Sequence, residues 1–174
     1  MTETINSLEK ANHAFREGRL SDTEDICREI LGKDEWCAGA WHLMGKMAAL
    51  QGDLETAGEF ASVACDLDSQ SAEFLRDWAE VFFQKKELES AEQQVRRALE
   101  ISPDSPEGLV LLGRILAEKD DKHPALEAFQ SALRIRKDYA EGFSHYATAL
   151  QKFGRGKDAI SQIRKACALE PDSV

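Results

Sequence analysis

Reactive chemistry in this chain would have to come from a small set of side chains: His13, His42, His123 and His145, and Cys27, Cys37, Cys65 and Cys167. Metal binding needs such donors at spacings that one helical turn or one tight loop can gather, as in C-x-x-C, H-x-x-x-H or H-E-x-x-H. None of these spacings occurs, and the histidines fall in separate stretches of the chain. There is no glycine-rich phosphate loop and no G-x-S-x-G turn, so neither phosphate cradling nor a nucleophile elbow has a carrier. Cys37 sits in a turn, but Asp34 and Glu35 beside it are carboxylates, not the cations that favour a thiolate nucleophile. The many other Asp and Glu side chains read as solvated helix charge. The expectation is therefore no enzyme, no metal and no cofactor.

What positions these side chains is a repeat. Shifting the sequence by 34 residues aligns residue types five times without a gap, in blocks 4–37, 38–71, 72–105, 106–139 and 140–173. The eighth position is Ala11, Gly45, Ala79, Gly113 and Ala147; the twentieth is Thr23, Ala57, Ala91, Ala125 and Ala159; the twenty-seventh is Ile30, Ala64, Ala98, Ala132 and Ala166. Bulky groups lie between, such as Trp41, Leu75, Leu109 and Phe143 at the fourth position. Spacings of three and four stack residues on one helix face. Small residues let two helices approach, and the large ones fill the space beside them.

The spacing predicts first helices near 4–17, 38–51, 72–85, 106–119 and 139–152, and second helices near 21–32, 54–67, 88–101, 123–135 and 157–169. Gly18, Gly52 and Gly154 suit the left-handed residue that ends a helix. Ser21 to Glu24 reads as a capping box, Asp53 as a cap, and Ser105-Pro106 as a helix opening. Pro124 fits a first turn, while Pro103 and Pro171 follow helix ends.

This pattern resembles the tetratricopeptide repeat family over residues 4–173, read as a single domain. The residues that carry the likeness include Trp41, Gly45, Gly52, Ala57 and Ala64, then Trp78, Ala79, Phe82, Ala91, Ala98 and Pro103. They continue through Leu112, Gly113, Ala125, Phe129 and Ala132 to Tyr146, Ala147, Gly154, Ala159, Ala166 and Pro171. The first block departs, with Ser7 and Lys10 at bulky positions and Glu35 where proline is usual, as suits a capping repeat. The resemblance implies an all-α solenoid, a right-handed superhelix of five stacked antiparallel helix pairs whose first helices line a concave groove.

Groove positions implied by that resemblance hold Leu8, Asn12, Phe15 and Arg16 in the first block, and His42, Leu43, Lys46 and Leu50 in the second. The third gives Arg76, Asp77, Glu80, Phe83 and Gln84, the fourth Val110, Leu111, Arg114 and Glu118, the fifth Ser144, His145, Thr148, Gln151 and Lys152. Apolar groups among both signs of charge suit a peptide or helix of a partner protein. The expected function is a protein-interaction scaffold or adaptor. The set by which some relatives clamp a chaperone C-terminus is not matched, because Leu8, Leu43, Glu73 and Asp77 stand at four of its five positions beside Asn12.

Two alternatives stand beside this reading. Phe15 to Leu20 and Asp25 to Leu31 loosely resemble the start of bacterial arrays that precede sulfotransferase or glycosyltransferase domains, which makes the chain a docking segment of a larger protein. The other is self-assembly through uncovered terminal helices. Ile160, Ile163 and Cys167 would face a sixth repeat that the sequence does not supply, so a homo-oligomer or a continuation past Val174 is expected to cover them.

The net charge of −10 resides in the first three blocks and argues against nucleic acid. Arg96-Arg97, Arg134, Arg136-Lys137 and Arg164-Lys165 form a basic strip on the second helices, read as a solvated face or as a dock for an acidic partner. No apolar run is long enough for a membrane span, and the N-terminus does not read as a secretory signal, so a cytoplasmic location is expected. The cysteines are expected to be reduced, with Cys27, Cys65 and Cys167 at helix-core positions.

Overall fold

A computed structural model of the chain describes residues 2–170; Pro171 and its expected role in ending the last helix lie outside them. The described residues form ten α-helices and no strand. The first helices of the repeats are α1 (Thr2–Arg16), α3 (Ala38–Leu50), α5 (Ala72–Gln84), α7 (Pro106–Glu118) and α9 (Ala140–Lys152). The second helices are α2 (Leu20–Lys33), α4 (Leu54–Leu67), α6 (Leu88–Ile101), α8 (Lys122–Ile135) and α10 (Gly156–Leu169).

The short turns within each pair explain the boundaries. Gly18, Gly52 and Gly154 have φ of 73°, 81° and 73°. Around Gly52 the next amide, Asp53, donates to Ala48 O while Gly52 itself donates to Ala49 O, the paired bonds of a Schellman turn. The same pairs recur at Gly18 and Gly154, and at Asp120, which adopts φ of 62° without being glycine. Lys86 also adopts positive φ, 63°.

These turns overrule the expected capping box. The turn at Gly18 starts α2 at Leu20, so Arg19 is the N-cap and offers no side-chain cap. Thr23, meant as part of the box, is buried and donates its hydroxyl to Arg19 O at 2.8 Å. Asp53, Ser71 and Ser105 do cap their helices, accepting from Thr56 N, Phe74 N and Gly108 N.

The chain divides into two compact units, Met1–Lys86 and Glu87–Val174. In the first, α1 packs on α2 and α3, α3 on α4 and α5, and α4 on α5. In the second, α7 packs on α6, α8 and α9, and α9 on α8 and α10. All members of the small columns at positions 8, 20 and 27 are buried, including the odd members Thr23 and Ile30. At Gly113 a Cβ would come within 2.9 Å of the buried Phe129 ring, so the bulk of one column is matched by the absence of a side chain in the other.

Cys27 and Cys65 are core residues, and burial, helped by the nearby Cys37, pushes the Cys27 thiol up to about 11. Cys167 departs from its expected core position and is exposed, because no further helix packs on its side of α10 among the described residues. All four cysteines are free thiols. No helix among the described residues is long and apolar enough to cross a membrane.

Candidate functional site

Within the unit Met1–Lys86, α1, α3 and α5 stand side by side and leave a cleft of about 420 Å³. Its floor is made where small columns meet, at Gly45, Ala57 and Ala61, with Ala49, Leu50, Val81 and Phe15 as apolar walls. The small residues that let the helices approach thus also leave room above their contact.

The polar side of the cleft is one connected cluster. Asp77 Oδ2 lies 2.9 Å from His42 Nε2, while Asp77 Oδ1 accepts from Arg76 Nε at 3.0 Å and Nη2 at 2.7 Å. Lys46 Nζ lies 3.4 Å from Asp77 Oδ2, 3.9 Å from Glu73 Oε1 and 5.3 Å from the Phe15 ring centroid. His42 is 7% exposed and its ring packs 4.3 Å from that of Phe74. Burial opposes ionisation of Asp77, but the His42 hydrogen bond and the Arg76 and Lys46 charges outweigh it and hold the carboxyl below the ordinary aspartate range. His42, Glu73 and Asp77 bring ligand-type atoms within 4.8 Å of one another. The two carboxylates among them already share a cation, the Lys46 ammonium.

Eight residues of the sequence-expected groove therefore converge on one cleft: Phe15, His42, Lys46, Leu50, Arg76, Asp77, Glu80 and Gln84. Others are placed elsewhere. Asn12 is half-buried and turns its amide back to Leu8 O at 3.0 Å, and Arg16 is exposed. Phe83 is half-buried beneath Lys86 Nζ, 5.6 Å from its ring centroid. Arg114, His145 and Thr148 belong to the other unit; His145 Nε2 is 3.5 Å from Glu141 Oε1, and the Thr148 hydroxyl donates to Ser144 O at 3.1 Å.

Leu43, Val110 and Leu111, expected on the open face, are buried. Leu43 packs with Ala11, Cys27, Ile30 and Ala40, so its side of α3 closes against the preceding repeat. Ile160 and Ile163 are 53% and 46% exposed on α10.

A family model described as the tetratricopeptide repeat matches residues 76–140. No curated protein sequence matches the chain. Among solved structures, TTC0263, a thermophilic tetratricopeptide protein of Thermus thermophilus, superposes with a TM-score of 0.84 at 18% identity, over 98% of this chain and 93% of its own. MamA from Desulfovibrio magneticus RS-1 gives 0.79 at 16% identity, over 99% and 98%. YrrB, a tetratricopeptide protein with an unusual peptide-binding site, gives 0.71 at 18% identity, over 98% and 88%. Paired helices repeating every 34 residues give the chain the all-α solenoid fold of these tetratricopeptide proteins, and residues 76–140 match the tetratricopeptide repeat itself.

Proposed function

We propose that the chain is a protein-interaction scaffold whose residues 4–173 act as one array, and that the α1–α3–α5 cleft takes an apolar side chain from a segment of a partner protein. The observation that carries this reading is the division of the cleft. Its walls are Phe15, Leu50, Val81 and alanines, while the charges beside them are held in place by one another. An apolar anchor gains from leaving water, and a preorganised polar rim orients the rest of the segment without being reordered. Leu50, 66% exposed at the edge of the cleft, is apolar surface available to a guest. The peptide-binding site named for YrrB is in keeping with such a role. No catalytic step is assigned to any residue of this cleft.

The test is selection of peptides from a displayed random library against the intact chain, followed by titration of the winners. Peptides with a bulky apolar anchor are expected, with binding lost in Leu50→Glu and weakened roughly tenfold in Phe15→Ala, in line with about 1.4 kcal/mol for one lost anchor contact. Peptides that bind both variants as tightly as the parent would remove this cleft from consideration.

A further inference from the structure

In the unit Glu87–Val174, α8, α9 and α10 enclose a second, larger cleft of about 840 Å³. Its walls carry Arg134 and Lys137 from α8 and the turn after it, and Lys165 from α10, over the aromatic side chains of Phe143 and Tyr146 on α9. The aromatic floor is fixed: Gln130 donates to Tyr146 Oη at 3.0 Å, and Phe129 stacks behind Tyr146 at 5.6 Å.

These three cations stand apart from most others in the chain. Arg19, Arg28, Lys46, Lys119 and Arg136 each meet a carboxylate. Among the described residues Arg134 reaches only Ser131 Oγ, at 2.9 Å, and Lys165 only Gln162 Oε1, at 3.4 Å, and the Phe143 ring, 5.4 Å away. No ion pair among those residues involves Lys137. Glu127 is the one carboxylate among them that lines the cleft, and it faces His123 at 3.2 Å. A chain of net charge −10 thus keeps three unneutralised cations around one aromatic-floored cleft.

The complementary surface is on the same chain, in the turn between α2 and α3. Trp36 is 71% exposed, more than any other large apolar side chain among the described residues. It is flanked by Asp34 and Glu35, which have no ion-pair partner among those residues. The turn is nevertheless held firmly. Asp34 Oδ1 accepts from Trp36 N at 3.2 Å, Trp41 Nε1 donates to Glu35 O at 2.9 Å, and Cys37 N donates to Asp34 O at 3.3 Å. A fixed turn loses little freedom on docking, and an indole beside two carboxylates matches an aromatic floor beneath three cations.

We propose that the Asp34–Trp36 turn of one copy docks in the Arg134–Lys137–Lys165 cleft of a second copy. The indole packs against the edges that Phe143 and Tyr146, 8% and 6% exposed, present to the cleft beside the Lys165 ammonium, and Glu35 and Asp34 meet Lys137 and Arg134. The two surfaces are different patches of one chain, so a single contact leaves a cleft on one copy and a turn on the other to which further copies can add.

Sedimentation of the full chain at low salt, from about 10 µM to about 1 mM, tests this over the range expected of a weak single contact. The average mass is expected to climb with concentration and to fall back when salt is raised. Trp36→Ala, with a cleft but no indole, and the double variant Lys137→Glu/Lys165→Glu, with an indole but no basic cleft, are each expected to associate at least tenfold more weakly. Mixed together, they are expected to form one-to-one pairs and nothing larger, because only one productive contact remains. Glu35→Lys added to the double variant on the same chain is expected to recover its self-association. Helical circular dichroism matching the parent keeps misfolding apart from lost contact. A parent that stays monomeric throughout the range, a Trp36→Ala variant that associates like the parent, or a mixture that stays monomeric overturns the proposal. The first of these is also the outcome if the cleft serves an acidic segment of another protein, or the turn of its own chain. None of these readouts depends on the α1–α3–α5 cleft.

Discussion

Replacing Asp77 by Asn keeps the shape of the side chain and removes its charge, so it isolates what the anion does between α3 and α5. The carboxylate faces His42 at 2.9 Å, receives two N–H groups of Arg76 at 3.0 and 2.7 Å, and has Lys46 at 3.4 Å. A hydrogen bond to a charged group contributes about 1.5–3 kcal/mol. The His42 side chain is 9% exposed and retains most of such a contribution, whereas Arg76 and Lys46, 27% and 32% exposed, are partly screened. The expected loss is about 2 kcal/mol at neutral pH. The carboxyl titrates below its ordinary range in the folded chain. Its stabilisation is therefore complete above the unfolded aspartate range and fades as pH falls through the folded pKa. Protonated Asp resembles Asn, so the gap between parent and variant is expected to close as pH drops from about 4 towards about 2. Glu17, Glu29 and Asp53 are also held low, but they titrate in both proteins and cancel in the difference. Urea unfolding followed by tryptophan fluorescence reads the right region, because Trp36, Trp41 and Trp78 all lie in the unit Met1–Lys86. Equal stabilities at pH 7, or a gap that stays the same at about pH 2.5, would refute the account.

Two glycines at the same repeat position are expected to respond oppositely to alanine. In Gly113→Ala the new Cβ meets the fully buried Phe129 ring at 2.9 Å, and overpacking of about 1–3 kcal/mol outweighs the helix-propensity gain of about 1 kcal/mol. Thermal unfolding by circular dichroism should show destabilisation, smaller when Phe129→Val is added, which recreates the Ala79 and Val95 combination of the third block. In Gly45→Ala the nearest atoms are 3.4 Å away, an ordinary contact, so unchanged or raised stability is expected. Lys86→Gly relieves a side chain at φ of 63°; a gain of about 0.5–1 kcal/mol in urea unfolding is expected after the greater freedom of glycine in the unfolded chain is discounted, and a loss would mean that the Lys86 contact with Phe83 outweighs the strain.

Periodicity made the helix pairs legible because size at positions 8, 20 and 27 is constrained on every side at once. A column that is buried in each block leaves no room for exceptions in bulk, and the residues that look exceptional, Thr23 and Ile30, sit at the end of the array. Turn chemistry was legible only where glycine marks it. Lys86 and Asp120 adopt the same left-handed φ as Gly18, and side chains that tolerate a conformation leave no signature of having adopted it. The capping motif at Ser21 misled for the opposite reason: it is a local match, whereas the preceding turn had already set where α2 begins.

The cleft was half legible, and the missing half has a physical cause. The family resemblance implies that Phe15, His42, Lys46, Arg76, Asp77 and Glu80 lie on one stripe of their helices, and the structure gathers them. The same stripe includes Leu43, which is buried against the preceding repeat, because a first helix has flanks as well as a face and a repeat position does not say which flank closes. Nor does a repeat position reveal pairing between blocks. Lys85 reaches Glu55 at 3.1 Å and Lys119 reaches Glu89 at 3.5 Å; both pairs join position 14 of one block to position 18 of the block before. These contacts are largely exposed and add little stability. The Asp77 cluster differs, since its carboxylate gathers His42 and Lys46 from α3 onto α5 at a partly buried point. Apolar contacts between successive first helices tolerate sliding by a fraction of a turn. A carboxylate that must meet an imidazole and an ammonium together does not, because a slip leaves charge buried without its partners. The cluster thus fixes the register of α3 and α5, and with it the width of the cleft that Phe15, Leu50 and Val81 line.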